Sequence, residues 1–150
     1  MSRDNLVVEI NGNRTPAAIG NKAENLSRLG KKGNRIPKTY AVSWKAYSRY
    51  LDHDSALEKD LRNELDLIIN KDQKYAVRSS ANIEDRFETS FAGQFRSILD
   101  ACGVNEVLDA IHTVWQSTQS PDVKTYLERR GIAFEELMMA VLVQEMVNPV

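Results

Sequence analysis

The chain is poor in the residues that mark specialised architectures. A single cysteine, Cys102, in 150 residues cannot form an internal disulfide, and no cysteine–histidine cluster is present to hold structural zinc. Seven glycines and four prolines are too few for a collagen-like or low-complexity chain. There is no excess of either charge: 20 basic against 21 acidic residues give a formal net charge of −1, which argues against a dedicated nucleic-acid binder. Nor is there a long hydrophobic run. The longest, near Leu137–Val147, is broken by Gln144 and Glu145 and falls short of the ~20 residues of a membrane span. The start, MSRDNLVVEI, lacks the apolar core of a secretory signal, so a cytoplasmic chain is expected. What is present, 42% hydrophobic and 27% charged residues, suits one globular α/β domain with a real core.

Periodicity divides the chain into short strands and amphipathic helices. Leu6–Ile10 reads as a strand ended by Asn-Gly-Asn. Ala17–Leu29 repeats apolar residues at helical spacing and stops at Gly30 and Gly33. Ile36–Val42 is expected as a strand, followed by a helix capped by Ser43 with Trp44, Tyr47 and Leu51 on one face. Ser55-Ala-Leu-Glu58 has the form of a capping box, opening a helix whose buried stripe is Leu57, Leu61, Leu65, Ile68 and Ile69. Tyr75–Ser79 is expected as a strand, Ser80–Ala92 as a polar loop, and Gln94–Leu99 as a strand beginning at Gly93. Val104, Val107, Leu108, Ile111 and Trp115 mark a helix; Ser120-Pro121 starts another that Gly131 stops. Met139–Val147 reads as a strand buried on both faces. Because such a strand needs partners on its faces and edges, the chain reads as a portion of a longer protein, and the strand invites edge association.

Three places carry more polar chemistry than a core needs. Gly20-Asn-Lys22 opens a helix, where a lysine beside backbone N–H groups attracts phosphate; a surface lysine is the plainer account. Arg78, in Tyr75-Ala-Val-Arg-Ser-Ser-Ala, follows two apolar residues, a position usually buried or half-buried. A guanidinium there wants phosphate or carboxylate, and Ser79, Ser80, Glu84 and Asp85 could instead be its structural partners. Ser90-Phe-Ala-Gly93 then offers small residues that a ligand can approach closely. Finally, Gln144 and Glu145 end an apolar strand, as in the walls that hold purine rings, or as the start of a solvated strand end.

In order along the chain, GNKAENLSRLGKKGNRIPKTYAVSWKAYSRYL, AVRSSANIEDRFETSFAGQFRSIL, the Val107–Ser117 helix and MAVLVQEMV resemble the N-terminal nucleotide-binding domain of the phosphoenolpyruvate synthase and pyruvate phosphate dikinase family, which includes rifampicin phosphotransferases. The resemblance implies an ATP-grasp-like fold, a mixed sheet with flanking helices, and residues 1–150 as the incomplete N-terminal portion of one domain. It implies phosphate contacts for Lys22, Arg78, Gly93 and Ser97, with Arg78 catalytic. It places Gln144 beside the adenine, with Glu145 and Met146 continuing the hinge strand.

This chain departs from the family pattern at Asn21, at Arg86-Phe87 after Glu84-Asp85, at Ser97 where threonine is usual, and in a short connection between Leu51 and Tyr75. The cofactor implied is ATP with magnesium, whose ligands would lie outside this chain, as would the phosphohistidine and substrate-binding domains. His53 and His112 have no phosphohistidine-like context, and His112 is expected to be structural. The expected function is the ATP-binding portion of an ATP-dependent phosphotransferase that phosphorylates a histidine in a separate domain, inactive as the 150-residue chain alone. A non-catalytic nucleotide-binding or scaffold module is the alternative.

Overall fold

The computed structural model describes residues 6–10, 38–81 and 97–146. The expected helix Ala17–Leu29, the start of the strand at Ile36, most of the polar loop, and the site residues Lys22 and Gly93 lie outside them. Five strands form one sheet: β1 (Val7–Ile10), β2 (Thr39–Val42), β3 (Lys74–Ala81), β4 (Ser97–Cys102) and β5 (Met139–Glu145), in spatial order β1-β2-β5-β3-β4. Among the described residues four helices accompany them, α1 (Trp44–Leu51), α2 (Leu57–Ile68), α3 (Gly103–Ser117) and α4 (Pro121–Arg129), with a 3-10 turn at Phe134–Glu136. The α/β class with flanking helices is as expected and fits an ATP-grasp-like nucleotide-binding domain. The sheet, however, is antiparallel at all four pairings between described strands, rather than mixed.

The last described strand is the centre of this sheet. β5 pairs with β2 along Val141–Gln144 on one side and with β3 over its whole length on the other, so it lies inside the sheet rather than at its edge. The expectation that this strand needs outside edge partners is therefore wrong; β2 and β3, both earlier in the chain, supply them. Its apolar run follows from that place, since Met139–Val143 are all buried.

The helices lie against one face. Leu57, Leu61 and Leu65 of α2, Val107, Leu108, Ile111, Val114 and Trp115 of α3, and Val123 and Leu127 of α4 form one cluster with Tyr75 and Val77 of β3 and with Val141 and Val143 of β5. The other face carries only a small described cluster of Ile10, Ala41 and Leu142, with Val8 against it. Among the described residues, no helix is long and apolar enough to cross a membrane.

Helix ends were the least legible part of the sequence. Ser43 stands at the N-cap of α1, yet its buried hydroxyl makes no cap bond and has no partner among the described residues. Nor does Ser55 cap α2. Ala56 precedes that helix, and the carboxylate of Asp54 accepts from Ala56 N at 2.9 Å while its carbonyl accepts from Leu57 N at 3.2 Å. Asp54 is available because α1 ends at a left-handed His53 (φ 56°), whose N–H donates to Tyr50 O, with Asp54 N donating to Arg49 O. The Arg49 guanidinium then holds Asp54 at 2.7 Å and Asp60 at 2.8 Å. Glu58, freed from the box, faces His112 Nε2 at 3.2 Å, and the His112 ring lies edge-on to Trp115. That histidine is structural, as expected. The predicted boundaries of α4 are right: Ser120 Oγ accepts from Val123 N, and Gly131 (φ 68°) closes the helix as its N–H donates to Glu128 O.

Candidate nucleotide site

Strand alternation decides which predicted residues can meet. In β3, Tyr75 and Val77 point into the helix-covered core, so Ala76 and Arg78 point the other way. Register carries that face across the sheet. Val8, Ala41, Leu142, Arg78 and Ser97 form one row, and Ile10, Thr39, Gln144 and Ala76 form the next. Three residues far apart in sequence are thereby gathered on the face opposite the helices. Arg78 and Ser97 are direct cross-strand neighbours. Gln144 stands one strand over and one row down, roughly 8 Å from Arg78 between Cα positions.

Arg78 and Ser97 are exposed. The expectation that Arg78 is buried or half-buried is wrong, because the two apolar residues before it alternate faces rather than forming a continuous wall. Its guanidinium has no hydrogen-bond or ion-pair partner among the described residues. Of its suggested structural partners, Ser79 and Ser80 are buried in β3, which runs on to Ala81 rather than giving way to a loop at Ser80. Glu84 and Asp85 lie outside the described residues.

Between the cation and the amide stand the apolar Ala76 and Leu142, both buried. Leu99, next to the core-facing Ile98, is an exposed large hydrophobic at their side. There β4 bulges: Val77 pairs with Ile98 but Tyr75 with Ala101, and the extra residue is absorbed at Asp100, which adopts φ 62°. Met146 reaches this bulge, its Sδ accepting from Asp100 N at 3.3 Å. Its backbone is held as well. Met146 N donates to Lys74 O at 2.9 Å, and Gln73 Nε2 donates to Met146 O at 2.8 Å.

Glu145 does not join the others. It is opposite Tyr75 and therefore on the helix side, where its backbone N–H donates to Lys38 O. Burial pushes the Tyr75 phenol up from its ordinary range, and the Glu145 charge adds to that. Lys38 is on this side too, 5.9 Å from the centre of the Tyr40 ring, and a hydrogen bond with the Tyr40 side chain, helped by the nearby Glu9, holds its ammonium above its ordinary range. Gln144 is partly exposed at the strand end, with its Nε2 donating to Thr39 Oγ1 at 3.1 Å.

Sequence reasoning missed Thr39, Gln73 and Asp100. Thr39 could have been found only from the β2–β5 register, and nothing in the sequence marks Gln73 or the left-handed aspartate. An exposed cation and a hydroxyl at one point, with a partly exposed amide on the same face, can take a molecule that is anionic at one end and polar-edged at the other.

Residues 54–150 match the family model described as the pyruvate phosphate dikinase AMP/ATP-binding domain. The chain belongs to this family. Arg78, Gly93, Ser97, Gln144, Glu145 and Met146 fall within the matched segment, and Lys22 precedes it. Among similar proteins, a probable phosphoenolpyruvate synthase of Pyrococcus abyssi is 37% identical over 91 residues, 60% of this chain and 11% of that protein. The phosphoenolpyruvate synthase of Aeropyrum pernix is 40% identical over 78 residues, 52% of this chain and 10% of its own. A rifampicin phosphotransferase of Streptomyces sviceus is 30% identical over 172 residues, 89% of this chain and 20% of its own. The chain thus spans between a tenth and a fifth of the length of these relatives. Membership of a family of phosphotransferases and the family's AMP/ATP binding follow from these matches.

Proposed function

We propose that this chain forms the ATP-binding portion of a phosphotransferase of the phosphoenolpyruvate synthase and pyruvate phosphate dikinase type. ATP lies along the sheet face opposite the described helices. Its phosphates are at Arg78 and Ser97, joined by Lys22 and Gly93, and its base is at Gln144 with the backbone of Glu145 and Met146 as the hinge. The observation that supports this most is the gathering of Arg78, Ser97 and Gln144 on one face, with an exposed guanidinium that has no described protein partner.

Phosphoryl transfer needs little covalent chemistry from the protein. Its main demand is neutralisation of charge on the transferring group, and the Arg78 guanidinium, a planar fork of donors, suits that role. The acceptor is a histidine on a separate domain of the parent protein, from which a substrate-binding domain takes the phosphoryl group on. The magnesium that accompanies ATP is held by residues of the parent protein outside this chain. The 150 residues alone are then a nucleotide-binding unit without turnover.

The test is a titration of the full chain with ATP and with AMP. Cations at the β- and γ-phosphates predict tighter binding of ATP, with the difference shrinking in Lys22→Ala. Equal affinity for the two nucleotides in the wild type would refute the assignment of the phosphate end.

A further inference from the structure

The connection between α2 and β3 grips the chain where it leaves β5. The amide nitrogen of Gln73, a partly exposed residue, donates to Lys74 O at 3.0 Å and to Met146 O, 73 residues further on, at 2.8 Å. Both partners are main-chain carbonyls, which accept and cannot donate, so only the NH2 end of the carboxamide can face them. Gln73 is itself fixed. Its N–H donates to Asn70 O at 3.0 Å, and Asn70 Oδ1 accepts from Asp72 N at 2.9 Å. The same turn is tied to two strands: Asn70 N donates to the Tyr75 hydroxyl of β3, and the Cys102 thiol of β4 donates to Lys71 O, each at 3.0 Å. Met146 stands one residue past β5, and its N–H donates to Lys74 O. A strand end held by one such bond opens locally at little cost; the Gln73 amide adds a second at the same residue.

We infer that Gln73 is a positioning residue for the base side of the site: by holding Met146 to the start of β3, it keeps the Gln144–Met146 segment in the course that a nucleotide base meets. This rests on the reading of that segment as the hinge beside the base. The effect is one of preorganisation. Without the clamp the strand end occupies the competent course for only part of the time, and the apparent affinity of a ligand that contacts it falls by that fraction. A ligand that touches only Arg78 and Ser97 is indifferent to the clamp, because those residues are carried by the β3–β4 pair.

The experiment titrates the full chain, as wild type, Gln73→Met and Gln73→Lys, with ATP and with tripolyphosphate, which carries the phosphates without the base. Methionine keeps the length of the side chain and has no donor, whereas the lysine ammonium only donates. Gln73→Met is expected to weaken ATP by about five- to tenfold, the range of one neutral hydrogen bond, and to leave tripolyphosphate within about twofold of wild type. Gln73→Lys is expected to restore the ratio of the two affinities. Equal weakening of both ligands marks a merely structural contact and overturns the inference, as does unchanged ATP binding in Gln73→Met. A second measurement watches the clamp directly: without nucleotide, hydrogen exchange at the Met146 N–H should be faster in Gln73→Met than in wild type, with that at Val143 unchanged. Equal exchange at Met146 overturns the inference. If the wild type binds neither ligand, the proposed site itself fails. If Arg78→Ala weakens both ligands, yet Gln73→Met alters neither, the phosphate end stands and the role of Gln73 alone is lost.

Discussion

Replacing Arg78 by alanine separates binding from folding. The guanidinium is exposed on the face opposite the described helices and has no hydrogen-bond or ion-pair partner among the described residues, so its removal leaves no described group unsatisfied. Substitutions at such positions change stability by no more than about 0.5 kcal/mol. For a domain of this length, that is a shift in Tm of less than roughly 2 °C. Binding should behave differently. Hydrogen bonds between a guanidinium and phosphate oxygens are charge-assisted and worth about 1.5–3 kcal/mol. Their loss corresponds to roughly 10- to 150-fold weaker ATP binding. Calorimetric titration with ATP, paired with a thermal melt of the same samples, reads both quantities. Arg78→Lys should fall between wild type and alanine, because it keeps the charge but loses the planar fork. The reasoning is refuted if alanine binds ATP within about threefold of wild type, a change too small for one lost charged hydrogen bond. It is refuted equally if the Tm drops far enough that unfolding accounts for the lost binding.

Other substitutions test how the fold that carries this face is held. Leu65→Ala, at a fully buried position of α2, should cost about 2–5 kcal/mol, whereas Leu67→Ala on the same helix should change stability by less than about 0.5 kcal/mol, because Leu67 is 86% exposed; urea denaturation of the pair checks this. His53→Gly should raise stability, since the left-handed backbone at φ 56° costs a non-glycine residue roughly 1 kcal/mol; a variant less stable than wild type in urea would contradict that. Asp54 is held below its ordinary carboxylate range, first by the Arg49 side chain and then by the N–H of Ala56. A depressed folded-state pKa contributes stability above the unfolded value, which is lost as pH falls through the folded one. Asp54→Asn should therefore be less stable than wild type near neutrality, with the gap closing on acidification below the ordinary aspartate range. A gap that widens in acid, followed by melts at a series of pH values, would show that the sign is wrong.

The contrast between what the sequence revealed and what it hid has a physical basis. The helix α2 stripe of Leu57, Leu61 and Leu65, the α3 stripe ending at Trp115, and the apolar run of β5 were legible because burial imposes a period on each. The β5 run also carried a misleading message. Its hydrophobicity reflects a central place in the sheet, and an order such as β1-β2-β5-β3-β4 cannot be read from the run itself. The cap of α2 was misjudged because it depends on where Asp54 and Arg49 meet, and that meeting follows from a left-handed histidine with no glycine to announce it. The motifs pointed to Arg78, Ser97 and Gln144, but their convergence is a matter of register. The same register puts Glu145 on the opposite face and exposes an arginine expected to be half-buried. Thr39, Gln73 and Asp100, which steady Gln144 and Met146, act through contacts across strands and leave no local signature.

The most direct test of the shared face is to map bound nucleotide on the molecule itself, by chemical-shift changes in the full chain titrated with a non-hydrolysable ATP analogue. The account predicts perturbations at Ala76, Arg78, Ser97, Gln144 and Met146, with the β- and γ-phosphates required for those at Arg78 and Ser97. Perturbations confined to the helix side, around Tyr40, Glu64 and Leu67, would contradict it.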